Sequence, residues 1–211
     1  MVTLPVEELP LRSWTPDAWA EKALKKPLVL LNDHAWLEKK AASNALELLN
    51  RWPEPCPPEN WVKQMTAIAR DEIEHLGLVV RILARRGGRL ARYHQSRYAA
   101  DLRRLVRAGS GRAEIMDRLM VSALIEARSC ERFAVLSRIC PDEELSKMYH
   151  GLYASEAGHY NVFISLAREL PEGQSIHADD VDGRWDEMLD AEARIIERQL
   201  PGSGIHSGPL G

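Results

Sequence analysis

The chain of 211 residues carries 28 Lys and Arg against 31 Asp and Glu, a formal charge of -3, with 45% hydrophobic and 28% charged residues. Such a balance suits one globular domain with a sizeable core, and it excludes a disordered polyelectrolyte or a uniformly basic nucleic-acid coat. No apolar run approaches the roughly 20 residues of a membrane helix, and Met1 to Trp14 lacks the charged-then-apolar pattern of a secretory leader. Cys56, Cys130 and Cys140 show no metal-type pairing and suit a reducing compartment, so a cytoplasmic location is expected.

Apolar positions recur every three or four residues and strand-like alternation is nearly absent, which predicts an all-α chain. Thr15 to Lys25 reads as a peripheral amphipathic helix. A long helix from about Leu28 to Arg51 is stopped by Pro53, Pro55, Pro57 and Pro58, and a second, from about Pro58 to Arg86, is stopped by Gly87 and Gly88. These two form an antiparallel pair. Gly87 to Gly111 is a long connection with a shorter helical pattern around Arg97 to Arg107. A third long helix spans about Arg112 to Ile139, and a fourth follows Pro141, capped by Asp142, and ends near Leu170. Val181 to Leu200 is a second peripheral helix, and Pro201 to Gly211, rich in Gly, Ser and Pro, is expected to be a flexible tail. Two hairpins joined by one long crossover is the connectivity of a ferritin-like four-helix bundle. Residues 1–211 therefore read as a single ferritin-like domain with its bundle core at about 28–170.

Each long helix places one glutamate inside its apolar stripe, where an unpaired carboxylate is costly. Glu38 lies among Leu31, Ala35, Ala41, Ala42 and Ala45, and Glu72 among Met65, Ile68, Ala69, Leu76 and Val79. Glu126 lies among Leu119, Ala123, Cys130 and Phe133, and Glu156 among Leu152, Tyr153, Tyr160 and Phe163. His75 follows Glu72, and His159 follows Glu156, by three residues, so each Glu and His share a helix face and can grip one ion. One Glu-x-x-His is ordinarily a solvated or capped pair. Two of them, each preceded by a helix with an inward Glu, match the ligand pattern of di-iron and di-manganese carboxylate proteins. Four carboxylates neutralised by two divalent cations make the burial tolerable. The mixed oxygen and imidazole set favours iron or manganese over a thiolate-loving metal, and ligand type alone leaves zinc open. His34, one turn before Glu38, reads as a satisfied helix histidine.

Charge is unevenly distributed. From Arg81 to Arg112 there are ten arginines and a single acid, Asp101. For any one arginine a surface ion pair is the simpler reading, but the cluster, interleaved with Tyr93 and Tyr98, is a footprint for phosphates and stacked bases. Arg85, Arg86, Arg89, Arg92, Arg97, Arg103, Arg104 and Arg107 are the candidate RNA contacts.

The segments Asp33-His34-Ala35 with Glu38-Lys39-Lys40-Ala41-Ala42, Arg70-Asp71-Glu72-Ile73-Glu74-His75, Ile125 to Phe133, and Ser155-Glu156-Ala157-Gly158-His159 resemble the tRNA 2-methylthio-isopentenyladenosine hydroxylase family over roughly Leu28 to Leu170. The resemblance implies a non-haem di-iron monooxygenase that hydroxylates the isopentenyl group of a modified adenosine in tRNA. It implies Glu38, Glu72, His75, Glu126, Glu156 and His159 as iron ligands, with O2 and an external electron donor or reductase as partners and no membrane. An apolar pocket lined by Leu119, Phe133 or Phe163 would take the prenyl group. Two rivals stand beside it: a ferritin- or rubrerythrin-like protein handling iron or peroxide, and a helical RNA-binding protein with a structural metal site.

Overall fold

In the computed structural model the described residues are 6–170 and 178–209. They form seven α-helices after a short 3-10 turn at Val6–Glu8: α1 Asp17–Leu24, α2 Pro27–Leu49, α3 Glu59–Arg85, α4 Arg97–Arg103, α5 Arg112–Ile139, α6 Glu143–Glu169 and α7 Ala178–Glu197. No named strand occurs among the described residues. Two compact units are present, one built from residues 22–95 with 202–205, the other from the remaining described residues.

The smaller unit is the α2–α3 hairpin. Pro27 opens α2 at a first-turn position where its missing N–H costs nothing. Leu30, Leu31, Ala35, Ala42, Ala45 and Leu48 form its buried stripe, facing Trp61, Met65, Ile68, Ala69, Val79, Ile82 and Leu83 of α3. The predicted glycine stop of α3 has a defined geometry. Gly87 adopts φ 79°, its N–H donates to Ala84 O at 3.0 Å, and Gly88 N–H donates to Leu83 O at 2.9 Å. These two reversed bonds satisfy carbonyls that the helix end would otherwise orphan.

The larger unit is the α5–α6 hairpin with α4 and α7 packed on it. Asp142 caps α6 as expected, its Oδ1 accepting from Leu145 N at 3.0 Å. Helix α5 is buried nearly all round: Leu119, Ala123, Glu126, Cys130 and Phe133 line one face, while Arg128, Glu131 and Arg132 are buried on the opposite one. At about 100° per residue, Arg128 points about 200° away from Glu126. The connecting helix α4 is shorter than expected and ends at Arg103, before turns at Gly109 and Gly111, both at positive φ.

The tail expectation is corrected over the described residues 201–209, residues 210 and 211 lying outside them. Ile205 is fully buried and its N–H donates to Asp33 Oδ2 at 2.7 Å. His206 is 7% exposed and its ring meets Tyr98 at 4.7 Å between centroids. Ser207 Oγ accepts from Trp19 Nε1 at 2.9 Å, and Gly208 N–H donates to Leu200 O at 3.0 Å. Composition predicts looseness only when the backbone groups have no fixed partners; here the partners lie far away in sequence.

Candidate metal centre

In the smaller unit, α2 supplies Glu38 and α3 supplies Glu72 and His75. Glu38 and Glu72 are buried, and the side chain of His75 is 13% exposed. His75 Nδ1 lies 3.7 Å from Glu38 Oε2 and 3.8 Å from Glu72 Oε2, and one ligand atom from each of the three falls within 4.8 Å of the others. Carboxylate and imidazole atoms at such spacing, too long for hydrogen bonds, leave room for a cation between them. His34, fully buried one turn before Glu38, contacts Glu38 Oε1 through Nε2. That contact fixes the orientation of the Glu38 carboxylate within its own helix.

The larger unit repeats the arrangement. Helix α5 supplies Glu126 and α6 supplies Glu156 and His159, all buried, with His159 Nδ1 3.4 Å from Glu156 Oε2 and the three again offering donor atoms within 4.8 Å. Cys130, one turn after Glu126, is part of the same surroundings. Burial, and then the negative charges of Glu156 and Glu126, push its thiol well above the ordinary range. It is a packed apolar group here, not a nucleophile. Each unit thus presents two inward carboxylates and one imidazole, a donor set that fits iron or manganese.

The arginines divide between the units. Arg85 and Arg86 close α3, Arg86 half-buried, while Arg89 and Arg92 are exposed on the loop that follows. In the larger unit Arg97 and Arg103 are exposed on α4, and Arg104 donates to Asp101 at 2.8 Å. Arg107 is engaged elsewhere: its Nε and Nη2 donate to Asp117 at 2.8 Å each, and its backbone N–H donates at 2.9 Å. Arg184 completes a second grip on the same buried carboxylate. Arg107 is therefore held in an ion pair with Asp117 while its side chain stays 43% exposed. The reading of Tyr98 as part of the footprint is corrected, because its ring is buried and its hydroxyl donates to Glu192 at 2.8 Å.

The family model for the tRNA-(MS2IO6A)-hydroxylases (MiaE) matches residues 2–207. The chain belongs to this family. Membership carries the enzyme class, an oxygenase that modifies tRNA. Two relatives named tRNA 2-(methylsulfanyl)-N(6)-isopentenyladenosine(37) hydroxylase agree. One, from Pseudomonas putida, is 41% identical over 92% of this chain and 90% of its own length. The other, from Salmonella typhimurium, is 30% identical over 92% of this chain and 86% of its own length. Among solved structures, a Synechococcus protein with aldehyde deformylating oxygenase activity superposes with a TM-score of 0.85 at 31% identity, over 95% of this chain and 97% of that one. The all-α, ferritin-like fold class read from the sequence is the one observed.

Sequence reasoning missed the back of α5. Arg128 donates to both carboxylate oxygens of Glu192 and to Glu131, and Thr15 adds two bonds of 2.7 Å to Glu131. The guanidinium of Arg132 lies 4.0 Å over the Trp19 ring. Burial and then the nearby Arg128 charge, opposed by Glu131, bring Arg132 down to about 10. The available signal was charge on every face of a helix otherwise too apolar for the surface. Its partners on α7 and in the first residues were not legible.

Proposed function

We propose that this chain hydroxylates the isopentenyl group of a modified adenosine in tRNA, using two irons per chain. Glu38, Glu72 and His75 in the smaller unit, and Glu126, Glu156 and His159 in the larger one, would be the iron ligands. The observation that carries this reading is the two Glu, Glu, His triads, buried but for the partly exposed His75, in a chain matched by the hydroxylase family over residues 2–207. Four carboxylates with two imidazoles suit two divalent ions in charge as well as in donor type.

Two ferrous ions, when bound, supply the electrons that activate O2 for attack on an unactivated C–H bond. The overall reaction consumes one O2, two electrons and two protons, places one oxygen atom in the prenyl group and releases the other as water. The chain's own residues provide position and dryness. The six donors come from rigid helices rather than loops, so their side chains are held before substrate arrives. Leu119, Phe133 and Phe163, all buried in the larger unit, give the neighbourhood of Glu126 and Glu156 an apolar character suited to a prenyl group. An electron donor or reductase from outside the chain completes the partner set. No described helix is long and apolar enough to cross a membrane, and a cytoplasmic enzyme acting where tRNA is abundant is part of the proposal.

The test is turnover. Iron-loaded, reduced protein supplied with O2 and prenylated tRNA should yield nucleoside heavier by one oxygen atom, read by mass spectrometry with labelled O2. Glu126→Ala should retain tRNA binding and lose the product. Wild-type protein that holds iron yet leaves prenylated tRNA unchanged would leave the reading without support.

A further inference from the structure

Residues 89–94 follow the Gly87–Gly88 stop of α3 and have no helix of their own, yet side chains of α2 pin them at several points. Asn32 Oδ1 accepts from Ala91 N–H at 2.7 Å, and Trp36 Nε1 donates to Ala91 O at 3.0 Å. His94 contacts Asp33 Oδ1 through Nε2 at 2.7 Å and Lys40 Nζ through Nδ1 at 2.8 Å, and its ring stacks on Trp36 with 10° between the planes. Ala91 and His94 are thus fixed to one helix, and the two residues between them are displayed outward.

Those two are Arg92 and Tyr93. Tyr93 is 76% exposed, the most exposed of the large hydrophobic side chains described, and the Arg92 guanidinium lies 5.1 Å from its ring centroid. Exposing an aromatic ring wastes burial that folding could have used, and anchoring the flanking backbone adds further ordering cost. Exposed Arg89 adds a second cation on the same short loop. An exposed ring paired with a stacked guanidinium, on a backbone already ordered, is the chemistry that holds an unpaired base and its phosphate.

We propose that Tyr93 is a stacking platform for an unpaired base of the tRNA substrate, with Arg92 and Arg89 meeting the adjoining phosphates. The proposal rests on the tRNA reading above and adds to it a named recognition site on the loop after α3. Pinning by α2 gives the loop its role: a ring whose backbone is ordered in advance loses less freedom on binding than one carried by a mobile segment. Tyr98, the other tyrosine of the arginine-rich stretch, is excluded from such a role by its burial.

The test uses iron-loaded enzyme in its oxidised resting state and a fluorescently labelled anticodon stem-loop bearing the prenylated adenosine. Tyr93→Ala should weaken binding by about 5- to 150-fold, the range for loss of one base stack, at every salt concentration and without changing the salt slope. Tyr93→Phe and Tyr93→Trp should keep the wild-type affinity, because the ring face is retained. Arg92→Gln should lower the salt slope by about 0.7 to 0.9. In turnover, Tyr93→Ala should raise KM for the stem-loop more than it lowers kcat. Wild-type enzyme that fails to bind the stem-loop would overturn the tRNA reading itself. Wild-type binding with an unaffected Tyr93→Ala would overturn the platform alone, as would a Tyr93→Phe variant as weak as Tyr93→Ala. A Tyr93→Ala defect confined to electron delivery would also overturn it and give this surface to a protein donor.

Discussion

Arg128 grips Glu192 with two parallel hydrogen bonds, Nε to Oε1 and Nη2 to Oε2, both 2.9 Å, and neither side chain is more than 1% exposed. The pair joins α5 to α7 on the face of α5 that turns away from Glu126. Removing one partner strands the other charge in the core, so Arg128→Met should cost about 3 to 5 kcal/mol. Arg128→Lys should recover little, because an ammonium cannot reproduce the bidentate fork. Urea unfolding of the three proteins checks both statements. A loss below about 1 kcal/mol for Arg128→Met, the worth of a surface pair, would contradict them.

Asp117 gives the larger unit a pH dependence. Burial alone would raise its carboxyl, but hydrogen bonds from Arg107 and Arg184 outweigh this and hold it below the ordinary carboxylate range. A carboxyl depressed in the folded state adds stability that is whole above the unfolded value of about 4 and drains away as pH falls through the folded value. Asp117→Asn should therefore be less stable than wild type at pH 7, and the difference should shrink as pH drops below about 4. Denaturation series at several pH values test it. Parallel stability curves for the two proteins would contradict the assignment.

Stripping the metal should lower the melting temperature. Within each triad two carboxylates would then face one another with poor screening. At free metal a hundredfold above Kd, binding contributes about 2.7 kcal/mol. For a chain of this length that corresponds to a fall of roughly 5 to 10 °C. Calorimetry before and after chelation, with iron measured in both samples, is the check. Complete removal of iron with no change in melting would argue against the triads as a metal site.

Ile205 should matter to stability although it lies in a Gly, Ser and Pro-rich end segment. Ile205→Ala removes a fully buried side chain while leaving its N–H bond to Asp33 available, at a cost of about 2 to 5 kcal/mol. Chemical denaturation measures it. A change within about 0.5 kcal/mol, as for a surface substitution, would mean that the segment packs only loosely in solution.

By itself the sequence determined the helices and the six candidate ligands, because both are written in local spacing. Apolar residues at three and four mark the buried face, and a carboxylate placed within that face, with histidine three residues on in two of the helices, declares an inward polar group wherever the helix packs. Proline, glycine and aspartate at the helix ends are equally local, so the α5 limits and the Asp142 cap were legible to the residue. Tertiary structure alone decided which charges were committed elsewhere. Local spacing does not show that Arg107 pairs with buried Asp117, which Arg184 also grips, nor that Tyr98 turns inward to Glu192 while Tyr93 stays out. The end segment was misread for the same reason: its order comes from Asp33, Trp19 and Tyr98, more than a hundred residues away. Periodicity records what a residue does to its own helix, whereas burial of an arginine or a loop amide depends on a partner that only the packed chain brings within 3 Å.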